Sequence, residues 1–149
     1  MSLCVRYTKC EDDSKLVLNT AFFKVFKNIH LFDSTKASLY TWIRKIVINS
    51  CLDHIKSKKS TIIADELHEA ESIHIEPDIS SKMKAEDILN LVKNLPPATQ
   101  AVFNLYIMEG YGHKEIAELL QISEGTSKWH LSEARKNLKQ QLENNTYSE

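Results

Sequence analysis

The stretch from Glu109 to Leu138, EGYGHKEIAELLQISEGTSKWHLSEARKNL, restricts the possible fold of this chain more than any other. Ile116, Ala117 and Leu120 recur one helical turn apart, which predicts a short helix over about His113 to Leu120. Gln121-Ile122 then makes a tight corner. Ser123 is placed to cap a following helix, its hydroxyl accepting one of the free amide protons of the first turn. Leu131, Ala134, Leu138 and Leu142, at i, i+3, i+7 and i+11, form the buried stripe of that second helix. Two helices joined by so short a corner make a helix-turn-helix. In that motif the second helix enters the major groove of DNA and meets base edges.

The remaining apolar periods are also helical, and three glycines and three prolines in 149 residues argue against a turn-rich all-β fold. There is no run of eighteen apolar residues, no signal-peptide pattern and no lipidation motif. A cytoplasmic protein without membrane contact is therefore expected. Cys4, Cys10 and Cys51 lack the paired C-x-x-C spacing of a zinc site, and are read as small apolar side chains in a reducing compartment. The six histidines show no ligand spacing, so no metal or cofactor is assigned. No carboxylate pair, activated nucleophile or glycine-rich loop stands in a catalytic setting, and an enzyme is not expected.

The formal net charge of −1 conceals a strong asymmetry. Residues 1–60 hold eleven Lys/Arg against five Asp/Glu, whereas residues 61–81 hold six carboxylates and no cation. Residues 82–149 are close to balanced, with eight against nine. A basic half followed by an acidic segment points to a nucleic-acid partner more than the total does.

Leu3, Cys4, Val5 and Tyr7 read as the last turns of a short first helix. After Glu11-Asp12-Asp13 a second helix is predicted to run to about Asn28, with Leu18, Phe22, Val25, Phe26 and Ile29 as its buried stripe. A third spans roughly Ala37 to Lys56, carrying Leu39, Trp42, Ile43, Ile46, Val47, Cys51, Leu52 and Ile55. So wide an apolar arc implies cover on more than one side. Residues 58–81 keep no period and read as a flexible acidic linker. Helicity resumes at Met83 with Ile88, Leu91, Val92 and Leu95. Pro96-Pro97 ends that helix and starts another, which carries Ala101, Val102, Leu105 and Met108. The expected architecture is all-α: two small helical domains, 1–58 and 82–145, joined by an acidic linker over 59–81.

Two separated motifs resemble the extracytoplasmic-function (ECF) sigma factors, specificity subunits of bacterial RNA polymerase. Ala21 to Phe32, AFFKVFKNIHLF, leading into Leu39 to Ile55, LYTWIRKIVINSCLDHI, is similar to sigma region 2. Leu95 to Leu138 is similar to sigma region 4. The likeness covers about two thirds of the chain, and the ordered pair is far more specific than a lone helix-turn-helix. It implies binding to core RNA polymerase, capture of the −10 promoter element as a single strand by region 2, and reading of the duplex −35 element by region 4. It also implies an anti-sigma partner and a monomer when free.

Under that resemblance the −10 contacts fall on Phe32, Lys36, Tyr40, Trp42, Lys45 and Asn49. Aromatics among cations suit single-strand capture, since stacking contributes roughly 1–3 kcal/mol per base while cations hold phosphates. Phe22 and Phe26 are assigned to the core instead. The polymerase-binding positions are Asp13, Leu16, Asn19, Thr20 and Phe23. In the recognition helix, stepping about 100° per residue from the buried Leu131 puts Ser127, Ala134 and Leu138 inside. Thr126, Trp129, Glu133 and Lys136 point outward, with Lys128, Ser132 and Arg135 along one flank. Lys128, Arg135 and Lys136 are expected on phosphates, and Trp129, Ser132 and Glu133 on base edges.

The sequence departs from the family pattern at three points. The first region 2 helix is short. Leu16, Asn19 and Thr20 occupy positions usually rich in acidic and amide side chains. Trp129 and Glu133 replace residues that are commonly small and basic. Two alternatives therefore stand beside the sigma reading: a dimeric stand-alone helix-turn-helix regulator, and a truncated sigma remnant that titrates an anti-sigma factor.

Overall fold

The computed structural model describes residues 2–58 and 85–146, and the chain divides into two compact units at Ser60/Thr61. Among the described residues every regular element is helical. The linker expected over 59–81 and the helix start at Met83 lie outside them.

The amino-terminal unit contains α1 (Ser2–Val5), α2 (Glu11–Asn28) and α3 (Leu39–Ser57), with a 3-10 turn at Ile29–Leu31. Glu11, Asp12 and Asp13 open α2, where negative charge is favoured by the free amides and dipole of a helix start. Ser38 caps α3: its Oγ accepts the Thr41 N–H at 3.2 Å. Asp33 closes the turn before it, its Oδ1 accepting from the Thr35 N–H at 2.9 Å and the Thr35 hydroxyl at 2.6 Å.

The packing face of α2 is not the stripe expected from the sequence. Ser14, Val17, Ala21 and Val25 are buried, while Phe22 and Phe26 are 42% and 75% exposed and Ile29 is open as well. Small side chains along the inner line let α2 lie close to α1 and α3, which leaves the bulky aromatics no room on that side. Phe22 and Phe26 are therefore surface residues and not core. On α3 the buried set is Val47, Ile48, Ser50, Cys51, Leu52 and Ile55. Cover is confined to the second half of that helix: Leu39 is exposed, and Trp42, Ile43 and Ile46 are half-buried.

The carboxy-terminal unit contains α4 (Ala85–Lys93), α5 (Pro97–Phe103) continued by a π-turn (Asn104–Met108), α6 (His113–Leu120) and α7 (Glu124–Thr146). Pro97 occupies the first turn of α5, where its missing N–H costs nothing. Gly110 reverses the chain with φ 76°, a conformation that suits glycine. Val92, Leu95 and Ala134 form a buried cluster, with Phe103 and Leu138 packed against it. Met108, expected in the inner stripe, is exposed because the π-turn changes the register after Phe103.

Long helix α7 packs chiefly on α5 and α6. Two polar ties fix it there. Thr99 Oγ1 and His130 Nδ1 lie 3.0 Å apart, joining α5 to α7. His113 Nδ1 and Ser127 Oγ lie 2.9 Å apart, joining α6 to α7.

Candidate nucleic-acid interface

The corner between α6 and α7 is built as the sequence predicts. Gln121 adopts the left-handed conformation, φ 59° and ψ 45°, and its N–H donates to the Ala117 carbonyl. The Ile122 N–H donates to that carbonyl too, at 3.0 Å, which ends α6 in a closed turn. Ser123 Oγ accepts the Thr126 N–H at 2.9 Å and so caps α7. At the other end of α6, Glu115 reaches back to accept the Gly112 N–H at 2.8 Å.

This scaffold presents the recognition-helix residues in two ways. Lys128 and Lys136 are exposed, and Trp129, Ser132, Glu133 and Arg135 are half-buried. Thr126 is half-buried with its hydroxyl 2.9 Å from Ser123 Oγ, so it belongs to the cap as much as to the outer face. Trp129 meets His130 edge-on, with ring centroids 4.8 Å apart. Leu131 and Ala134 are buried beneath them, as is Ser127.

Charge gathers on the same side. The His113 imidazole is held below its usual range first by burial and then by the Lys128 cation, with Arg135 adding to it and Glu124 opposing. Its ring stacks on Tyr106 at 4.6 Å. Neutral His113 thus sits beside two cations, where an approaching phosphate would find positive potential. The sequence carried a signal for part of this clasp, because Ser127 falls on the inner face of α7 and a buried hydroxyl needs a partner. Its partner, His113, was not identifiable from spacing.

In the amino-terminal unit, Phe32 and Trp42 come together with centroids 5.6 Å apart and a tilt of 56°. Tyr40 is 70% exposed, and its hydroxyl accepts from Arg44 Nη1 at 2.9 Å. Lys36 pairs with Asp33 at 3.5 Å, Lys45 is exposed, and Asn49 is half-buried on α3. The loop before α3 and its first turns therefore hold an aromatic pair and an open tyrosine, bordered by cations.

The polymerase-binding candidates divide. Leu16, Asn19, Thr20 and Phe23 share the outward face of α2, opposite its buried line, and Phe23 is 69% exposed. Asp13 turns the other way. Its carboxylate pairs with Lys58 at 2.6 Å and with His54 at 3.6 Å, tying the start of α2 to the end of α3. The Lys58 hydrogen bond holds that carboxyl below the ordinary aspartate range. Sequence reading missed how much apolar surface is exposed in this unit: Phe22, Phe26, Leu31 and Leu39 are open to solvent as well.

Among the described residues, no helix is long and apolar enough to cross a membrane, and no group of three or more His, Cys, Asp or Glu side chains is placed to hold a metal.

Both halves match known families in order. Residues 1–61 match Sigma-70 region 2, and residues 85–138 match Sigma-70, region 4. The chain is 31% identical over 129 residues to RNA polymerase sigma factor SigZ of Bacillus subtilis (strain 168), covering 85% of this chain and 71% of that one. It is 26% identical over 152 residues to the ECF RNA polymerase sigma factor SigW of the same organism, covering 94% and 81%. The fold is similar to that of the sigma factor RpoE solved in complex with the anti-sigma factor NepR from Bartonella quintana. That likeness has a TM-score of 0.62 at 17% identity, over 95% of this chain and 88% of that one. With a helix-turn-helix in the second unit and region 2 in the first, the chain belongs to the sigma-70 family of RNA polymerase sigma factors, in its extracytoplasmic-function group.

Proposed function

We propose that this protein binds core RNA polymerase and directs it to a subset of promoters, without catalysis of its own and in the cytoplasm. The observation that carries this reading is the ordered presence of regions 2 and 4 on one chain, each folded as its own helical unit. Residues 1–58 act as the region 2 domain, 82–145 as the region 4 domain, and 59–81 as the tether. The outward face of α2, centred on Leu16, Asn19, Thr20 and Phe23, meets the polymerase. Phe32, Tyr40 and Trp42, with Lys36, Lys45 and Asn49, receive the melted −10 strand by stacking and phosphate contact. Helix α7 lies in the major groove of the −35 element, with Lys128, Arg135 and Lys136 on phosphates and Trp129, Ser132 and Glu133 toward bases. An anti-sigma protein holds the free chain inactive.

Asp13 has a different part in this scheme: paired with Lys58 and His54, it holds α2 against α3 and presents the outward face without entering it. The open apolar face of α2 also suits a second reading, in which the chain occupies an anti-sigma protein without supporting transcription. One experiment separates the two. The full chain is mixed with core polymerase and genomic promoter fragments, and transcript starts are mapped. Specific starts that depend on the chain support the active reading. Tight anti-sigma capture with no polymerase binding would leave only the second.

A further inference from the structure

Arg44 is assigned no contact with DNA or polymerase, yet it holds Tyr40, one of the residues proposed to receive the −10 strand. The two stand one turn apart on α3. Arg44 Nη1 donates to the Tyr40 hydroxyl at 2.9 Å, and the guanidinium carbon lies 5.9 Å from the ring centroid. The second distance is at the outer limit, about 6 Å, for a cation over an aromatic face. A guanidinium bonded to the hydroxyl and so far from the centroid meets the ring at its hydroxyl end and does not cover its faces. Tyr40 is accordingly 70% exposed, whereas Arg44 is half-buried. The backbone beneath the ring is fixed as well. Ser38 Oγ accepts the Thr41 N–H and lies 2.9 Å from the Thr41 hydroxyl, and the Trp42 N–H donates to the Ser38 carbonyl at 3.0 Å. The first turn of α3, where a helix ordinarily frays, is thus closed under Tyr40.

We propose that Arg44 is a positioning residue for single-strand capture: it fixes the Tyr40 ring by its hydroxyl, so that an open face is already set to stack an unpaired base. This rests on the assignment of Tyr40 to the −10 strand. An exposed tyrosine on a helix otherwise samples several rotamers, and a base that stacks on it must first restrict them. Holding the ring beforehand removes that cost from binding. Stacking needs only a π-face, so the device is tolerant of base identity. The positive charge of Arg44 is secondary in this role. A cation that acted on phosphate would work as well in Tyr40→Phe, because such a contact does not use the tyrosine hydroxyl. The two roles therefore separate in that variant, which keeps the ring and its faces and removes only the acceptor.

The test uses the full chain with core polymerase and a random-sequence pool of DNA single strands, about twelve nucleotides long, carrying 5-iodouracil in place of thymine. Long-wave ultraviolet light cross-links that base to a stacked aromatic ring, and peptide mapping locates the link. The strand concentration that half-saturates cross-linking at position 40 is compared among the natural chain, Tyr40→Phe, Arg44→Met and the double variant. That concentration does not depend on how reactive each ring is. Each single variant should raise it by about twofold to tenfold, the range of one hydrogen bond, and the double variant should raise it no further. Equal losses that do not add locate the effect in the bond between Tyr40 and Arg44. Tyr40→Phe is a surface change that retains the ring, so it decides alone if Arg44→Met fails to fold. An unchanged value in Tyr40→Phe, or losses that add in the double variant, would overturn the proposal. Cross-links elsewhere in residues 1–58 with none at position 40 would also overturn it, and would leave the sigma reading standing. No cross-link anywhere in residues 1–58, or no binding to core polymerase, would remove the −10 assignment itself and the proposal with it.

Discussion

His113 Nδ1 lies 2.9 Å from Ser127 Oγ, so the first residue of α6 is bonded to the buried first turn of α7. Tyr106 backs the ring from the π-turn at 4.6 Å. Three successive elements thus meet at the His113 ring, through one stack and one polar contact. Ser127→Ala should cost about 1 kcal/mol, because it leaves a part-buried ring nitrogen without its partner. The pH dependence has a definite sign. His113 titrates below its usual range in the folded state, through burial first and the Lys128 cation second, so the unfolded chain takes the proton more readily. Its contribution is undiminished above the unfolded value of about 6.5, and stability falls as the pH drops through that value. Urea midpoints at neutral and mildly acidic pH should differ less in His113→Asn than in the natural chain. An unchanged difference would remove His113 as the cause.

Gln121 is the only non-glycine residue with positive φ among the described residues. A side chain in that conformation costs roughly 1–2 kcal/mol relative to the right-handed helix. Gln121→Gly should therefore stabilise the carboxy-terminal unit by up to about 1 kcal/mol, after the greater freedom of glycine in the unfolded chain is offset. Thermal melting reads this directly. A lower midpoint would mean that the Gln121 side chain makes a contact worth more than the strain.

On α2, Leu16 and Phe23 face outward, and replacing either should leave folding stability within about 0.5 kcal/mol. If that face meets the polymerase, Phe23→Ser should weaken binding to core enzyme by at least about tenfold, a loss of roughly 1.4 kcal/mol. Val17, next to Leu16 in sequence but on the buried line, is the contrast. Val17→Ser should lower the melting point through lost burial and an added buried hydroxyl. Equal binding by Phe23→Ser and the natural chain would move the polymerase contact off this face.

Lys136 is exposed on α7 and is assigned to a phosphate. Lys136→Ala should weaken duplex binding on every sequence and reduce the slope of log K against log salt by about one. Titration of two unrelated duplexes over a range of salt concentrations measures both effects. A loss confined to one sequence would make Lys136 a base reader.

What the sequence determined by itself was local. The bounds of α6, the Ser123 cap, the Pro97 start of α5 and the corner at Gln121 rest on neighbours a few residues apart, and helix periodicity with capping chemistry specifies them. The pairing of region 2 with region 4 was legible for the same reason, since each motif is a short run of residue types. The packing face of α2 was not. Leu16, Val17, Leu18, Phe22, Phe23, Val25 and Phe26 put apolar groups on every side of that helix, so no period selects one face. Tertiary packing chose the line through Ser14, Val17, Ala21 and Val25, because only small side chains let the helices approach. The ties of Asp13 to Lys58 and of His113 to Ser127 were likewise decided by the folded chain. Each joins residues from different helices, and a contact of that kind exists only once packing has brought the helices together.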